Sequence, residues 1–181
     1  YLEACESGSM FESFPTNQQL YAVTAANPTE SSWAAYCPPD DIAGGHKIGS
    51  CLGDLFSVNW MENTDQVNTA QETLTAQYNI VKDKTVKSHV MQYGDLSFVT
   101  SPVSSWVGNE HPSSTSPEEE GKDAASYSTV SSRDAHLVYL THRYSSLLTA
   151  DAHRELLEEI ESRQRYDRIF RSMIGVQRIE N

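Results

Sequence analysis

Three cysteines are the side chains of this sequence best suited to covalent chemistry, and they divide unevenly. Cys37 and Cys51 bracket a short loop rich in proline and glycine, and a disulfide that closed it would be worth roughly 3 kcal/mol in the chain-entropy model. Cys5 is then the odd thiol, which is either a reactive nucleophile or a buried, inert side chain. No CxxC or HxxxH spacing occurs and the six histidines are scattered, so we predict neither a metal site nor a cofactor.

The residues around Cys5 predict a corner between a strand and a short helix. Tyr1–Ala4 reads as the end of a strand, and Glu6–Phe11 reads as a turn that leads into a helix. Open α/β folds bind their ligands at the carboxyl ends of strands, where such a corner exposes its side chain. We therefore expect Cys5 to lie at the edge of a sheet, where a site would form.

The rest of the first hundred residues carries further strand and helix signals. Leu20–Ala26 is a mostly apolar run followed by Asn27-Pro28, which fits a buried strand. We predict a helix over Asp54–Met61, and a second helix that the capping-box sequence at Thr69–Glu72 would open. His89–Gly94 reads as a short strand that closes the domain.

From about Ser101 to Ser132 the composition shifts to Ser, Pro, Thr, Glu and Gly without a sustained apolar period, which is typical of an exposed linker. Exposed linkers are where proteases cut, and Asn109, Asp123 and Asp134 are equivalent candidates for such a cut. Beyond the linker, apolar residues at helical spacing predict two amphipathic helices. The first contains Leu137, Leu140, Tyr144 and Leu147, and the second contains Leu156, Leu157, Ile160, Ile169, Phe170 and Met173.

Charge and hydropathy restrict the partners of the chain. The formal net charge of -12 argues against nucleic acid, because a phosphate backbone requires a basic face and the arginines near the C-terminus lie among glutamates. No run approaches the roughly 20 apolar residues of a membrane span, so we do not expect membrane insertion. An acidic protein also suits an acidic compartment, where protonation of carboxylates reduces self-repulsion.

The segment Glu3–Met10, with the sequence EACESGSM, resembles the nucleophile motif of the legumain family of asparaginyl endopeptidases, which includes the plant vacuolar processing enzymes. Further blocks of that family follow in its order and spacing. They are TAANP at Thr24–Pro28, ESS at Glu30–Ser32, LGD at Leu52–Asp54, SVNWME at Ser57–Glu62, ETL at Glu72–Leu74 and SHVMQYG at Ser88–Gly94. The resemblance implies a partial caspase-like α/β/α sandwich, followed by a linker and the first helices of an α-helical prodomain.

The same resemblance implies the chemistry of the site. Cys5 would attack a peptide carbonyl to give a thioester, which water or an incoming amine then resolves. Glu3 and Asp54 match the family's pocket carboxylates, and Ser31 lies in its pocket-lining segment. Because an Asn side chain offers amide N–H donors to such carboxylates, the expected substrates are polypeptides with an accessible Asn. An Asp at that position would be cleaved only at acid pH, where it is protonated.

The sequence departs from the family in one respect. The family's general base is a His followed by Gly, about forty residues before the nucleophile, and this Gly also supplies one donor of the oxyanion hole. Neither stands before Cys5 in this sequence, and the six histidines all follow it. We therefore expect a C-terminal fragment of the peptidase that is inactive as it stands.

The resemblance divides the chain into the C-terminal part of a peptidase domain (1–100), an exposed linker with the activation cuts (101–132) and the start of a helical prodomain (133–181). The prodomain would act as an intramolecular inhibitor, and its arginines could pair with carboxylates of the peptidase domain. These arginines are Arg163, Arg165, Arg168 and Arg171. The expected location is a vacuole or a lysosome-like acidic compartment, reached through the secretory pathway.

Two alternative functions use the same residues. The small side chains of Ala34 and Ala35 could leave room for an incoming peptide, which would make the protein a peptide asparaginyl ligase. A truncated product without catalysis could instead bind an intact relative and cap its active site. Product analysis separates the first alternative from hydrolysis, and the coding sequence upstream of Tyr1 decides the second.

Overall fold

The structure is a computed structural model that describes residues 1–108 and 126–174 of the chain. It divides into two compact units, Tyr1–Ala135 and His136–Asn181, which are described separately. Its helices are α1 (Leu55–Gln66), α2 (Leu74–Lys84), α3 (Ser104–Val107), α4 (Ala135–Leu147) and α5 (Ala150–Ile174), with a 3₁₀ turn at Ser7–Met10. Its strands are β1 (Tyr21–Thr24), β2 (Trp33–Ala35), β3 (Ile42–Ala43), β4 (His46–Lys47), β5 (Gly53–Asp54), β6 (Met91–Gly94) and β7 (Val130–Ser131). The mixed α/β fold agrees with the predicted partial caspase-like domain.

The first sheet joins β1 to β6 in antiparallel register, with Tyr21 opposite Gly94 and Thr24 opposite Met91. Leu2 adds a parallel bridge to Thr24, so the start of the chain runs alongside β1. Both predicted strands are therefore present, although each is shorter than the range predicted for it.

Helices α1 and α2 provide the apolar cover of this sheet. Phe56 and Val81 are each 1% exposed and form one core cluster with Val23, Ala25 and Val90. Burying side chains of this size stabilises the fold by roughly 2 kcal/mol each. The core thus fixes the sheet alongside which the segment leading to Cys5 runs.

The predicted start of the second helix was wrong. The capping box was expected to open it at Thr69, but α2 begins at Leu74 and its N-cap is Thr73, whose hydroxyl accepts a hydrogen bond from the Ala76 amide at 3.1 Å. The glutamate of the predicted box, Glu72, accepts a hydrogen bond from the Asn63 side chain at 3.1 Å instead. A tertiary contact has therefore displaced the local capping pattern.

The second sheet has the order β5-β2-β7, and both of its neighbouring pairs are antiparallel. The disulfide between Cys37 and Cys51 closes the loop that joins β2 to β5, with an S–S distance of 2.08 Å. The predicted bridge is therefore present. Within this loop, β3 and β4 form an exposed hairpin.

The range predicted as an exposed linker contains structured ends. Val103 is fully buried before α3, and β7 pairs with β2, which a solvated linker would not do. The candidate cleavage positions Asn109 and Asp123 lie outside the described residues, whereas Asp134 is described and directly precedes α4. A prediction based on composition does not detect the burial of a single apolar side chain or the pairing of a single short strand.

The second unit contains most of α4 and all described residues of α5, which confirms both predicted amphipathic helices. Within it, Arg143 pairs with Glu155, and the Tyr144 ring stacks on His153 at 5.0 Å between centroids.

Among the described helices, none is long and apolar enough to cross a lipid bilayer. In residues 1–108 and 126–174, no group of three or more His, Cys, Asp or Glu side chains could hold a metal ion.

Candidate active site around Cys5

Cys5 lies at a sharp corner between the chain that pairs with β1 and the 3₁₀ turn. Leu2 donates its amide to Val23 O at 2.9 Å and accepts from the Ala25 amide at 3.0 Å, which holds the incoming segment. Directly after Cys5, Glu6 adopts a left-handed conformation with φ of 51°, which turns the chain back. The thiol is free and half-buried, as the predicted corner requires.

The loop after β1 holds this corner in place. The Ser7 hydroxyl donates to Ala26 O and accepts from the Ala26 amide, at 3.2 and 3.0 Å. A Cβ at Gly8 would meet Tyr93 Oη at 2.5 Å and the backbone carbon of Asn27 at 2.9 Å, so no larger residue fits there. The glycine and the first serine of the CESGS sequence therefore have a packing role beside Cys5.

Glu30 joins the corner to the loop before β6. Its backbone oxygen accepts from the Glu6 amide at 2.7 Å, and its carboxylate accepts from the backbone amides of Asn27 and His89, both at 2.8 Å. His89 Nδ1 lies 2.9 Å from the second carboxylate oxygen. Burial acts to raise the pKa of Glu30, but these contacts with Asn27 and His89 outweigh it and lower the pKa.

A line of hydroxyl groups connects the thiol to Asp54. Cys5 Sγ lies 3.7 Å from Ser32 Oγ, and Ser32 Oγ donates to Ser132 Oγ at 3.1 Å. The Ser132 hydroxyl in turn donates to Asp54 Oδ1 at 3.0 Å. Ser32 is 1% exposed, whereas Cys5, Ser132 and Asp54 are half-buried, so the line is buried only at its middle.

Glu3 is the second carboxylate near the thiol. Its Oε2 accepts from the Ser57 amide at 2.8 Å, whereas its Oε1 is buried and accepts no hydrogen bond. Burial raises the pKa of Glu3 to about 7, against the hydrogen bonds from Ser57 and with a smaller contribution from the charge of Asp54. Glu3 is thus a half-buried acid, one of whose oxygens is buried without a hydrogen-bond partner.

The disulfide and the second sheet position Asp54. Asp54 stands opposite Ala34 in the β2–β5 pair, and the bridge between Cys37 and Cys51 joins the far ends of the same two strands. Asp54 also precedes α1 as its N-cap residue, but its side chain makes no capping hydrogen bond. Its carboxylate is therefore available to the line of hydroxyls instead of the helix.

The segment around β7, which is distant from Cys5 in the sequence, also lies at this site. Strand β7 lies antiparallel on β2, with Ser131 opposite Trp33 and Val130 opposite Ala34. Ser132 then donates its amide to Ser32 O at 3.0 Å. The next residue, Arg133, forms an ion pair with Glu6, which directly follows Cys5 in the sequence.

The structure brings together most of the residues that the sequence predicted for the site. Cys5, Glu3 and Asp54 lie around one place, and Ser31 is half-buried in the loop just before β2. The prediction missed Ser32, which touches the thiol and which the Glu-Ser-Ser motif contains. It also missed Ser132 and Arg133, for which no local pattern in the sequence could have given a signal.

Three of the described histidines contact other side chains. His89 pairs with Glu30, and the ring of His136 stacks against Tyr139 with 6.1 Å between centroids. His153 stacks on Tyr144. His111 lies outside the described residues.

Comparison with known proteins gives a consistent family. The model of the Peptidase C13 family matches residues 1–109. The vacuolar-processing enzyme delta-isozyme of Arabidopsis thaliana is 38% identical over 180 residues, which cover 92% of this chain and 39% of that protein. The vacuolar-processing enzyme of Vicia sativa is 36% identical, with 92% of this chain and 37% of that protein covered.

Legumain of Pongo abelii is 47% identical over 115 residues, which cover 64% of this chain and 25% of that protein. The chain thus spans about two fifths of the length of the plant relatives. The family match, in contrast, covers more than half of this chain and includes every residue from Cys5 to Asp54. The chain therefore belongs to the Peptidase C13 family.

Proposed function

We propose that the protein is a cysteine endopeptidase that cleaves polypeptides after Asn, and after Asp at acid pH. The observation that carries this proposal is the pair of carboxylates, Glu3 and Asp54, beside the Cys5 thiol, one with an unbonded buried oxygen. A buried carboxyl oxygen without a partner is costly, and a ligand that forms a hydrogen bond with it would remove the cost. An Asn side chain offers N–H donors for Asp54 and a carbonyl acceptor for protonated Glu3.

Hydrogen-bond arithmetic supports the choice of Asn. The Asn amide provides two N–H donors and one carbonyl acceptor, so its pocket requires acceptors on one side and a donor on the other. The Asp54 carboxylate would accept from the amide. Glu3, whose pKa is raised to about 7, is protonated at acid pH and can donate to the carbonyl oxygen. Ser31 would line the same pocket.

The chemical step is acyl transfer at Cys5. The thiolate forms a bond to the backbone carbonyl carbon of the Asn, the C–N bond to the next residue breaks, and the departing amine takes up a proton. Water then attacks the thioester, which releases the new carboxyl terminus and returns the thiol. The resemblance assigns the base to a His-Gly pair, and no such pair occurs in this sequence, so we propose that the 181 residues alone do not turn over.

We also propose that the chain after the peptidase region inhibits the site. The support is the extended segment Ser128–Arg133, whose backbone pairs with β2 and whose Ser132 hydroxyl bonds to Asp54. A peptide substrate would need the same strand edge and the same carboxylate. The inhibitor is therefore a segment of the protein itself, with the helices after it as the start of its prodomain.

An acidic vacuole or lysosome-like compartment is the proposed location. The plant relatives carry the name vacuolar-processing enzyme. Below pH 7 Glu3 takes up its proton, which prepares the pocket for the neutral side chain of Asn or of protonated Asp. The chain would reach this compartment through the secretory pathway, where the disulfide between Cys37 and Cys51 also forms.

The test uses the enzyme expressed from the complete coding sequence that contains these residues. Peptides that differ only in Asn, Asp or Gln before the cleaved bond are compared between acid and neutral pH. We expect Asn cleavage throughout, Asp cleavage only at acid pH, and loss of both in Cys5→Ser. Asp54→Asn should lower Asn cleavage by at least tenfold, whereas Asp65→Asn, at the exposed end of α1, should not. Equal turnover of Asn and Gln peptides would exclude the pocket.

Peptide ligation remains a second use of the same thioester. Ala34 and Ala35 are both buried on β2, and we propose that their small side chains permit an incoming amine to approach. Product analysis with an added amine nucleophile decides between the two outcomes. Hydrolysis products alone would exclude ligation.

A further inference from the structure

The segment Ser128–Arg133 lies in the candidate site in the way an extended peptide would. Its strand β7 runs antiparallel to β2, and the pairing continues on both sides of it. Cys37 donates its amide to Ser128 O at 3.0 Å, and the Ser132 amide donates to Ser32 O at 3.0 Å. Addition of a strand to a sheet edge is a common way for proteins to hold peptides. The segment therefore marks the path of a peptide through the site.

Ser132 marks the position of the residue before the cleaved bond. Its hydroxyl accepts from Ser32 and donates to Asp54, and Ser32 Oγ lies 3.7 Å from the Cys5 thiol. An Asn at this position would direct its longer side chain toward the same carboxylate. The peptide bond after Ser132 then corresponds to the bond that the thiol would attack.

The residue after that bond is Arg133, and its guanidinium pairs with Glu6. Glu6 directly follows Cys5, and its left-handed backbone is held by the hydrogen bond from its amide to Glu30 O. A residue that follows the cleaved bond, at the position of Arg133, would therefore contact the side chain next to Cys5 in the sequence. The contact is thus fixed by the same corner that fixes the nucleophile.

We propose that Glu6 determines specificity for the residue that follows the cleaved bond, selecting Arg or Lys over Asp or Glu. The proposal rests on the endopeptidase function above, and it adds a second charged contact to the Asn pocket. Both partners of the Glu6–Arg133 pair are partly exposed, with 32% and 56% of their side-chain surfaces accessible. The preference is therefore modest and sensitive to salt.

The experiment measures kcat/KM of the active enzyme, from the complete coding sequence, on peptides that share an Asn and differ only in the next residue. We expect Arg and Lys peptides to be cleaved about three- to tenfold faster than the Glu peptide at low salt, with neutral residues between them. Glu6→Gln should reduce this ratio to about one, and Glu6→Lys should invert it. High salt should also bring this ratio closer to one in the unaltered enzyme.

Glu12→Gln is the matched control, because Glu12 is an exposed carboxylate close to Glu6 in the sequence. The substitution removes the same charge as Glu6→Gln but leaves the contact with Arg133 in place. It should leave the ratio unchanged. A ratio near one in the unaltered enzyme, or a ratio that survives Glu6→Gln, would overturn the proposal for Glu6 while Asn cleavage persists. If the unaltered enzyme cleaved none of the peptides after Asn, the endopeptidase function itself would be rejected.

A second measurement does not require activity. In the 181-residue chain, Arg133→Glu places like charges together, and Glu6→Arg combined with it restores an ion pair of reversed sign. We expect the first change to raise the rate at which iodoacetamide alkylates Cys5, and the double change to return it toward the original rate. If Arg133→Glu changed the alkylation rate of Cys5 equally with Glu and with Arg at position 6, the contact between the two residues would be contradicted.

Discussion

At the scale of single residues, the site combines a free thiol with two carboxyl groups in different environments. Asp54 accepts a hydrogen bond from Ser132, whereas Glu3 keeps one buried oxygen without a partner. An unsatisfied buried carboxylate favours its protonated form, since a neutral acid loses less on leaving water. The two groups therefore suit the different roles that the proposed pocket requires, Glu3 as donor and Asp54 as acceptor.

Glu3 should leave a signature in the pH dependence of stability. Its pKa is about 7 in the fold and 4.5 in a model peptide, so the folded state binds more protons between these values. The free energy of unfolding therefore falls as pH rises from about 4.5 to about 7, by an amount on the order of 3 kcal/mol for this group.

Glu3→Gln should remove this part of the slope, because the amide does not titrate. Denaturant unfolding of the 181-residue chain across this pH range measures it. Glu12→Gln serves as the control, since the carboxyl of Glu12 is exposed. If both variants kept the slope of the unaltered chain, Glu3 would not be the titrating group.

At the scale of elements, β7 is the least expected part of the fold. It consists of two residues, yet it places Ser132 between Ser32 and Asp54. A strand this short has little stability of its own, and its pairing depends on the edge that β2 presents. Its contacts should therefore be easy to remove without unfolding the rest of the unit.

Val130→Pro should separate β7 from β2. Proline removes the backbone donor of Val130 and does not fit antiparallel pairing, while Val130 stands opposite Ala34. We expect faster alkylation of Cys5 by iodoacetamide, by severalfold, with a change in the free energy of unfolding below about 1 kcal/mol. Val130→Thr, which keeps the branched shape and the N–H, should alkylate at the original rate. An unchanged rate in the proline variant would mean that β7 does not cover the thiol.

The sequence predicted elements whose signals are local. Helices α4 and α5 follow from the apolar spacing of residues such as Leu140 and Leu156, and α1 begins one residue after the predicted start at Asp54. The start of α2 was predicted wrongly, since Glu72 binds Asn63 instead of closing a capping box. Strand β7 could not be predicted, because its pairing partner lies about a hundred residues away and two residues show no periodicity.

The same distinction holds for the site. Cys5, Glu3 and Asp54 were named from a motif resemblance, and the structure places them around one position. Ser132 and Arg133 reach that position only through the fold, so their contacts with Asp54 and Glu6 carry no signal in the local sequence. Contacts between polar or charged side chains of distant segments can be identified only in the folded structure.

At the scale of the whole molecule, charge is the dominant feature. The formal net charge is -12, and carboxylates of one sign repel each other in the folded state. Carboxyl groups with a raised pKa, such as Glu3 at about 7, take up protons as the pH falls, so acidity lowers this negative charge. Acidity should therefore relieve the repulsion that neutral pH imposes on the fold.

Salt should stabilise the chain at neutral pH more than at acid pH. Screening weakens interactions between charges that are farther apart than about 3 Å in 1 M salt and about 10 Å in 0.1 M salt. At pH 7, added sodium chloride should raise the free energy of unfolding by on the order of 1 kcal/mol, because repulsion within the -12 chain is screened. At pH 5 the same salt should have a smaller effect, since the net charge is lower.

Denaturation with urea, which carries no charge, measures the unfolding free energy at both pH values and at low and high salt. The comparison between the pH values is the control, because any effect of salt on apolar burial is the same at both. A salt effect of equal size at pH 5 and pH 7 would assign the stabilisation to burial. A decrease with salt at pH 7 would mean that attractive ion pairs, such as Glu6–Arg133 and Arg143–Glu155, outweigh the repulsion of the excess carboxylates.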